Sequence, residues 1–341
     1  MWAPAVRGWL KRIPALSGPD SDAPNLGVLS LGALSLARAD TLPLGPMGVM
    51  PLARVPRPSD PAFGAWPAER PAVTDRLWGE GFTLAGGSGE VSRLVQKLAL
   101  SPAANVLLVG GGGGGPALCV AGDTGARVAA HEIEPALVAR GHALLVKAGL
   151  AQADLGQADL GQTGYRKTTT MAAWNPNRPA FPAGQYHHCL AIEPLRGGGE
   201  PAAILDGLAR ALKHGGHLAM IELVADAPLS DLDARNRRWH QLEQRPRTSL
   251  LPSAGITRML RRLGFDVRIV EDITERHIHH AVLGWRLAIG ALPAGKPSAA
   301  HAAALMREAE TWKLRLRLMR QGGLRVMRWH AVRTLAVAPL A

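Results

Sequence analysis

Six consecutive glycines, at positions 110 to 115, restrict what this chain can fold into more than any other feature. The apolar run Asn105 to Val109 precedes them and the run Pro116 to Val120 follows, which predicts a strand, a loop and a helix. A glycine loop at that position lets a ligand approach bare backbone, and the first turn of the helix presents unpaired N–H groups. The pattern therefore predicts a cradle for a nucleotide-containing cofactor.

A carboxylate follows at the place where a second strand would end. Glu132 comes directly after an apolar run at residues 126–131, and an acid at the tip of that strand can accept both hydroxyl groups of an adenosine ribose. Low-complexity expansion in a chain rich in Ala, Gly, Pro and Arg is the alternative explanation of the glycines. The order of strand, loop, helix, strand and acid favours the cradle.

Segments of strand and helix character alternate along most of the chain, which predicts an α/β fold with a doubly wound, mostly parallel, seven-stranded sheet. Strands are predicted at 105–109, 126–131, 167–174, 185–192, 217–224, 265–270 and 324–332. Helices are predicted at 90–100, 116–122, 134–148, 201–213, 253–263 and 298–320. The last two strands do not repeat the βαβ pattern of the first half, which argues against a complete dinucleotide-binding fold.

The chain divides into an extension and one domain. Residues 1–68 are rich in Pro and Gly and predict an irregular N-terminal extension, whereas residues 69–341 are predicted to form the α/β domain. A tandem duplication at 152–161 predicts a lengthened loop. The Arg-rich region 225–251, which carries Trp239, is predicted to form a substrate cover beside the fifth strand.

Bulk composition excludes several classes of protein. The net charge of +12 is spread along the 341 residues without a block of like charges, so nucleic-acid binding is not favoured. Cys119 and Cys189 are the only cysteines and form no CxxC pair, which predicts reduced thiols in a cytoplasmic protein without a structural zinc site. The histidines lack an acid at metal-ligand spacing, and no apolar stretch reaches the roughly 18 residues of a membrane span.

With these residues in place, the chain resembles the class I S-adenosylmethionine-dependent methyltransferases over residues 70–335. The likeness is carried by Val106 to Gly114, by His131-Glu132, and by Leu212 to Leu218, which is similar to the family's Leu-Lys-Pro-Gly-Gly turn before strand five. The segment Leu77 to Phe82 is similar to the entry segment of methyltransferases that act on small molecules such as amines or lipids.

The resemblance implies S-adenosylmethionine as cofactor and a small-molecule or lipid-like acceptor. It implies that the glycine loop holds the methionine part and the ribose, that the acid after strand two binds the ribose, and that a residue after strand three contacts adenine. Two residues before the core would cover the cofactor. By position these cofactor-binding roles fall on Gly110, Gly112, Gly114, Glu132, Asn175, Trp78 and Gly79.

Two positions depart from the family pattern. Leu108 stands where an acidic residue is common, and Asn175 where an acid often contacts adenine. A neutral hydrogen bond contributes about 0.5 to 1.5 kcal/mol, against about 1.5 to 3 for a charge-assisted one, so we expect weak cofactor binding.

Methyl transfer from a sulfonium requires positioning more than acid–base chemistry, so the resemblance implies no fixed catalytic set. A base would assist an amine or hydroxyl acceptor. The candidates are Glu80, Glu193, His240 and Glu243, each of which is also explained as a surface or helix charge.

Two other functions stay open on sequence grounds. Gly110, Gly112 and Gly115 also satisfy the dinucleotide fingerprint of NAD(P)-binding oxidoreductases, although Tyr165 and Lys167 have the wrong spacing for a short-chain catalytic pair. A degenerate methyltransferase fold that serves as a non-catalytic scaffold is the third possibility, supported by Leu108 and Asn175. The sequence does not identify the acceptor or the oligomeric state.

Overall fold

The protein is described by a computed structural model that covers residues 68–151, 169–291 and 297–334. Its strands are β1 (Asn105–Val109), β2 (Arg127–Glu132), β3 (Thr170–Ala173), β4 (Tyr186–Ile192), β5 (Leu212–Val224), β6 (Phe265–Asp272) and β7 (Arg325–Arg333). The helices are α1 (Arg70–Trp78), α2 (Gly87–Val95), α3 (Gly115–Thr124), α4 (Pro135–Lys147), α5 (Pro201–Ala211), α6 (Ala234–Glu243), α7 (Ser253–Arg262), α8 (Thr274–Gly290) and α9 (Ala299–Arg320). A 3₁₀ turn, Arg247–Ser249, follows α6.

The strands form one seven-stranded sheet in the order β3-β2-β1-β4-β5-β7-β6. The pairs among β1 to β5 are parallel, and β7 runs antiparallel between β5 and β6. The predicted α/β class and mostly parallel sheet are confirmed. Because the carboxyl ends of the parallel strands lie at one edge, the loops after β1, β2 and β4 meet there.

Helices cover both faces of the sheet. In β1, Val106 and Leu108 belong to one buried cluster, whereas Leu107 and Val109 belong to the other, as the alternation of side chains along a strand requires. The first cluster includes buried residues of α1, α2, α3, α8 and α9, and the second includes those of α5 and α7. The position two residues before Gly110 is therefore a fully buried core site, which suits Leu108.

Several element boundaries differ from the sequence prediction. The turn expected at Gly215 is an irregular part of β5, because Leu212 already pairs with Tyr186 of β4. Helix α8 was not predicted, and region 225–251 holds α6 and the 3₁₀ turn. The extension predicted for 1–68, apart from residue 68, and the duplication at 152–161 lie outside the described residues. Among the helices that the structure covers, none is long and apolar enough to cross a membrane.

The glycine loop packs backbone against backbone on several sides. A Cβ atom on Gly110, whose φ is +80°, would lie 2.0 Å from the carbonyl oxygen of Ile192 in β4. Gly81, in the segment between α1 and α2, accepts hydrogen bonds at its carbonyl from the N–H groups of Gly113 and Gly115, at 2.9 and 3.1 Å. The run of glycines is thus explained by close approach rather than by low complexity.

Separate alanine substitutions at two neighbouring glycines test whether close packing, rather than low complexity, explains the glycine run. Gly110→Ala should lower the free energy of unfolding by at least about 2 kcal/mol, because a left-handed backbone and an overpacked contact both oppose a Cβ. Gly111→Ala is the matched control, since its Cβ would meet no atom closer than 3.4 Å. Urea denaturation checks both variants, and equal losses of stability would contradict the packing described.

Candidate functional site

A small cavity lies at the carboxyl edge of the sheet, where the loops after β1, β2 and β4 converge. Its volume is about 80 Å³. The glycine loop contributes Gly110 to the wall, β2 contributes Glu132, and the residue after β3 is Trp174. Thr83 and Leu84, from the segment between α1 and α2, form part of the opposite wall. The sheet edge that the sequence predicts for a cofactor is therefore the edge that holds this cavity.

The Glu132 side chain connects the second strand to the glycine loop. Its Oε2 atom accepts a hydrogen bond from Gly112 N–H at 2.8 Å, and its Oε1 atom accepts from Ile133 N–H at 2.8 Å and from Glu134 N–H at 3.3 Å. Burial raises the pKa of Glu132, and the Gly112 N–H and the charge of Arg196 oppose that rise. A carboxylate offers about four acceptor positions, so one on Oε2 remains.

The backbone at the end of β4 is strained. Glu193 has a φ of +45° although it is not a glycine, and it precedes Pro194, which itself disfavours helical conformations for the preceding residue. Two arginines hold its carboxylate: Arg245 Nη2 at 2.7 Å and Arg315 Nη2 at 2.6 Å. Strain of this kind is typical of functional sites when the surroundings enforce it, and Glu193 lines the cavity.

The two arginines belong to a buried network of three carboxylates and three guanidinium groups. Arg245 also forms an ion pair with Glu222, at 3.0 Å. The Glu243 carboxylate accepts a hydrogen bond from Arg315 at 3.3 Å and lies 3.9 Å from the Arg196 guanidinium. Burial alone would raise the pKa of Glu193, but Arg315, Arg245 and Arg196 together hold it well below its usual range. Opposite charges balance within the network, which offsets the cost of burying each one.

His277 of α8 is buried beside this network. Its ring stacks on Trp312 with centroids 5.7 Å apart, and neither ring nitrogen has a hydrogen-bond partner. Burial, reinforced by the positive charge of Arg315, lowers the pKa of His277 to about 3. The imidazole is therefore neutral at physiological pH.

The structure brings only some of the predicted cofactor residues to the cavity wall. Gly110 and Glu132 line it, whereas Gly112 and Gly114 are buried within the loop packing and are not among the lining residues. Asn175 is exposed, and its Oδ1 atom accepts a hydrogen bond from Asn177 N–H at 2.9 Å, so its side chain closes a local turn. The preceding residue, Trp174, occupies the wall instead.

Trp78 and Gly79, the expected covering residues, do not line the cavity. Trp78 is buried in the core, with its ring centroid 4.9 Å from that of Trp312. An atom of its ring would lie only 2.5 Å from a Cβ atom placed on Gly284. Gly79 is exposed and does not line the cavity. Thr83, five residues after Trp78, is the nearest part of this segment that does.

The four candidate bases have different surroundings. Glu193 lines the cavity, but its carboxylate is paired with two arginines. Glu243 is buried and pairs with Arg315, one of these two arginines. Glu80 is exposed, 3.8 Å from Lys147. His240 is half-buried on α6 with its ring against Trp239. Neither Glu80 nor His240 lines the cavity.

Three arginines at the site are not predicted individually from the sequence. Arg245 lies within the region 225–251 that is predicted to form a substrate cover, but nothing in the pattern of α9 distinguishes Arg315 from the neighbouring surface cations. Arg196 follows a strand end in a glycine-rich segment without a motif. Within the described ranges, no group of three His, Cys, Asp or Glu side chains is placed to hold a metal ion.

Comparison of the chain with protein families and curated sequences yields no match. Solved structures do match. The phosphoethanolamine N-methyltransferase 2 of Haemonchus contortus, in complex with S-adenosyl-L-methionine, superposes with a TM-score of 0.64 at 16% identity over 77% of this chain. The chain covers 56% of that enzyme, so it spans little more than half its length.

Two further matches are similar over more of their own length. The cyclase SpnF has a TM-score of 0.55 at 18% identity, with 73% of this chain and 81% of SpnF covered. A geranyl diphosphate C-methyltransferase of Streptomyces coelicolor, in complex with Mg²⁺, geranyl diphosphate and S-adenosyl-L-homocysteine, has a TM-score of 0.52 at 13% identity, with 72% and 79% covered. The chain therefore has the fold of S-adenosylmethionine-dependent methyltransferases, a fold that also occurs in a protein named as a cyclase.

Removing one buried arginine tests the network. Arg245→Met should lower the free energy of unfolding by about 3 to 5 kcal/mol, because it leaves Glu193 and Glu222 buried without this partner. Arg247→Met, in the adjacent 3₁₀ turn, removes an exposed pair with Asp231 and should cost less than about 1 kcal/mol. Comparable losses in denaturant titrations of the two variants would show that the network does not hold this edge together.

The pH dependence of stability tests the burial of His277. Its pKa is lower in the folded protein than the ordinary value of 6.5, so the unfolded state binds the proton more strongly and stability falls as the pH drops below about 6.5. His277→Phe should weaken this acid sensitivity between about pH 7 and pH 4.5, and His279→Phe, on the exposed side of α8, should not. His188, whose pKa is lowered to about 4, leaves a residual dependence. Identical pH profiles for wild type and His277→Phe would contradict the assignment.

Proposed function

We propose that this protein binds S-adenosylmethionine at the carboxyl edge of its sheet and transfers the methyl group to a small-molecule acceptor. The observation that carries the proposal is the buried carboxylate of Glu132, which caps the glycine loop through Gly112 N–H and lines the cavity. One acceptor position on Oε2 remains for a ribose hydroxyl. The fold is shared with methyltransferases that bind this cofactor, which supports the proposal.

The aromatic and apolar residues of the cavity wall are of types that suit the adenosine part of the cofactor. Trp174 offers an aromatic surface, and Ile133 and Leu137 offer apolar contacts next to the ribose acceptor. Gly110, which is half-buried, leaves backbone open at the start of the loop. Within this proposal the adenine contact moves from Asn175 to Trp174, because the Asn175 side chain is engaged in its own turn.

The volume of the cavity places a condition on binding. At about 80 Å³ it is smaller than the roughly 300 Å³ at which pockets for small ligands begin. Cofactor entry therefore requires the wall to move, and we assign this movement to Thr83 and Leu84, which come from the segment between α1 and α2 rather than from a helix or strand. The free energy of this opening subtracts from the affinity, in agreement with the weak binding expected from the sequence.

The bound cofactor would supply an electrophilic methyl group on a sulfonium, so the protein's task is to position the acceptor and exclude water. Glu193 is poorly suited to remove a proton, because its carboxylate is held ionised by Arg245 and Arg315 and its lowered pKa makes it a weak base. We assign it instead to fixing the wall beside the cavity. The acceptor would then react through an atom that is already nucleophilic.

The proposed acceptor is a small molecule, and lipid-like acceptors are included, since the apolar wall residues do not discriminate against them.

We also propose a cytoplasmic location from cysteine usage, because Cys119 and Cys189 are both free thiols.

The sheet topology speaks against the oxidoreductase alternative. A dinucleotide-binding fold consists of six parallel strands in the order 3-2-1-4-5-6, whereas here the antiparallel β7 lies between β5 and β6. A non-catalytic scaffold is the second candidate function. The small volume of the cavity favours it, because a fold that has lost its ligand no longer needs space at this edge.

Calorimetric titration with S-adenosylmethionine, S-adenosylhomocysteine and NAD separates the three functions. We expect the first two to bind and NAD not to bind. Glu132→Gln should weaken binding at least about tenfold, because a charge-assisted hydrogen bond contributes about 1.5 to 3 kcal/mol. Asp206→Asn on α5, which removes an exposed carboxylate paired with Arg210, is the control and should bind as wild type does.

Thermal denaturation of the Glu132→Gln variant must accompany the titration, since Glu132 also holds three backbone N–H groups. Binding of NAD alone would transfer the protein to the oxidoreductases. Absence of binding by all three compounds to the folded wild type would favour the scaffold.

A further inference from the structure

A long groove lies on the surface between α6 and α9 and shares no lining residue with the cavity. Its volume is about 1050 Å³. One face of α9 lines it at helical spacing, from Ala303 to Gln321, and α6 contributes the other wall. At 1.5 Å per residue, that stretch of α9 is about 27 Å long.

The groove is strongly cationic. Among the described residues that line it, six are basic and one, Glu310, is acidic. The basic residues are Arg235, Arg238, Arg307, Lys313, Arg317 and Arg320. Glu310 is itself engaged by Arg238 through two hydrogen bonds of 2.8 Å, so it neutralises the groove only locally.

The floor of the groove is apolar. Leu242, Leu314 and Leu316 line it between the charged walls, and Met306, which also lines it, is 39% exposed. Asp233, which is not among the lining residues, pairs with Arg317 at 3.2 Å and is preceded by Leu232, which is 92% exposed.

We propose that this groove binds an acidic amphipathic helix of a partner protein. The cations of α9 extend from Arg307 to Arg320 over about 20 Å, so they complement several anions spaced along a ligand rather than one headgroup. The apolar floor between them matches the apolar stripe of such a helix, whose glutamates and aspartates would meet the walls. The inference does not depend on the proposed methyl transfer.

Other occupants fit the groove less well. A single-headed anionic lipid would satisfy one group of cations and leave the others unmatched, and a flat bilayer does not enter a groove between two helices. Single-stranded nucleic acid is bound by aromatic stacking together with charge, and no aromatic side chain is among the described lining residues.

Fluorescence anisotropy with a designed peptide tests the inference. The probe is a labelled peptide of about 18 residues with leucines at i, i+3, i+4 and i+7 and glutamates elsewhere. We expect it to bind wild type, more weakly as salt is added, and at least about tenfold more weakly to Arg307→Glu/Arg320→Glu. Arg307→Lys/Arg320→Lys should retain most of the affinity.

The control variant makes the same change in charge on the other face of the sheet. Arg261→Glu/Arg262→Glu, on the exposed surface of α7, should change the affinity by less than about twofold, because α7 packs on the face of the sheet opposite to α9. The melting temperatures of all variants verify that they are folded. A peptide of the same composition with its leucines scattered around the helix should bind at least about fivefold more weakly.

Equal affinity for the ordered and scrambled peptides would overturn the proposal, as would equal losses in the α9 and α7 variants. Tighter binding of anionic phospholipid vesicles or of a single-stranded RNA through Arg307 and Arg320 would identify a different occupant and would also overturn it.

Discussion

The candidate site depends on how closely the backbone of the glycine loop approaches its neighbours. Gly110 lies against the carbonyl of Ile192, and Gly81 provides a carbonyl that two loop N–H groups share. Glu132 then satisfies the Gly112 N–H from the second strand. A side chain at Gly110 would push β1 and β4 apart, so the same contacts that hold the sheet edge also shape the cavity.

The opposite end of the cavity is held by charge rather than by close packing. Arg245 and Arg315 come from a loop and a helix distant in sequence, and both engage Glu193 at the strained end of β4. Such a network has little stabilising value overall, but it leaves few alternative arrangements for the wall. These two sets of contacts thus bound the cavity at Gly110 and Glu193, just after β1 and β4, whereas Thr83 and Leu84 come from the segment between α1 and α2.

Sequence patterns predicted the parts of the fold that depend on local alternation and spacing. The first strand agrees with its predicted bounds, and Glu132 lies at the tip of β2 beside the glycine loop. Helix α8 was missed, because its apolar positions are interrupted by histidines that only tertiary packing buries, as at His277. Trp78 and Asn175, which the resemblance implies as cofactor contacts, do not line the cavity. Trp78 packs against Gly284, which is remote in sequence. The Asn175 side chain closes a local Asx turn that spacing alone does not reveal.

A crystal structure of the protein soaked or grown with S-adenosylhomocysteine would show whether the cofactor binds beside the glycine loop with its ribose at Glu132. We expect an enlarged cavity with the adenosine ribose within hydrogen-bonding distance of the Glu132 carboxylate and the adenine against Trp174. We also expect Glu193 to keep both arginine partners while the wall at Thr83 and Leu84 moves. A structure at saturating ligand in which the cavity keeps its present volume of about 80 Å³ and Glu132 contacts only backbone would contradict this mode of binding.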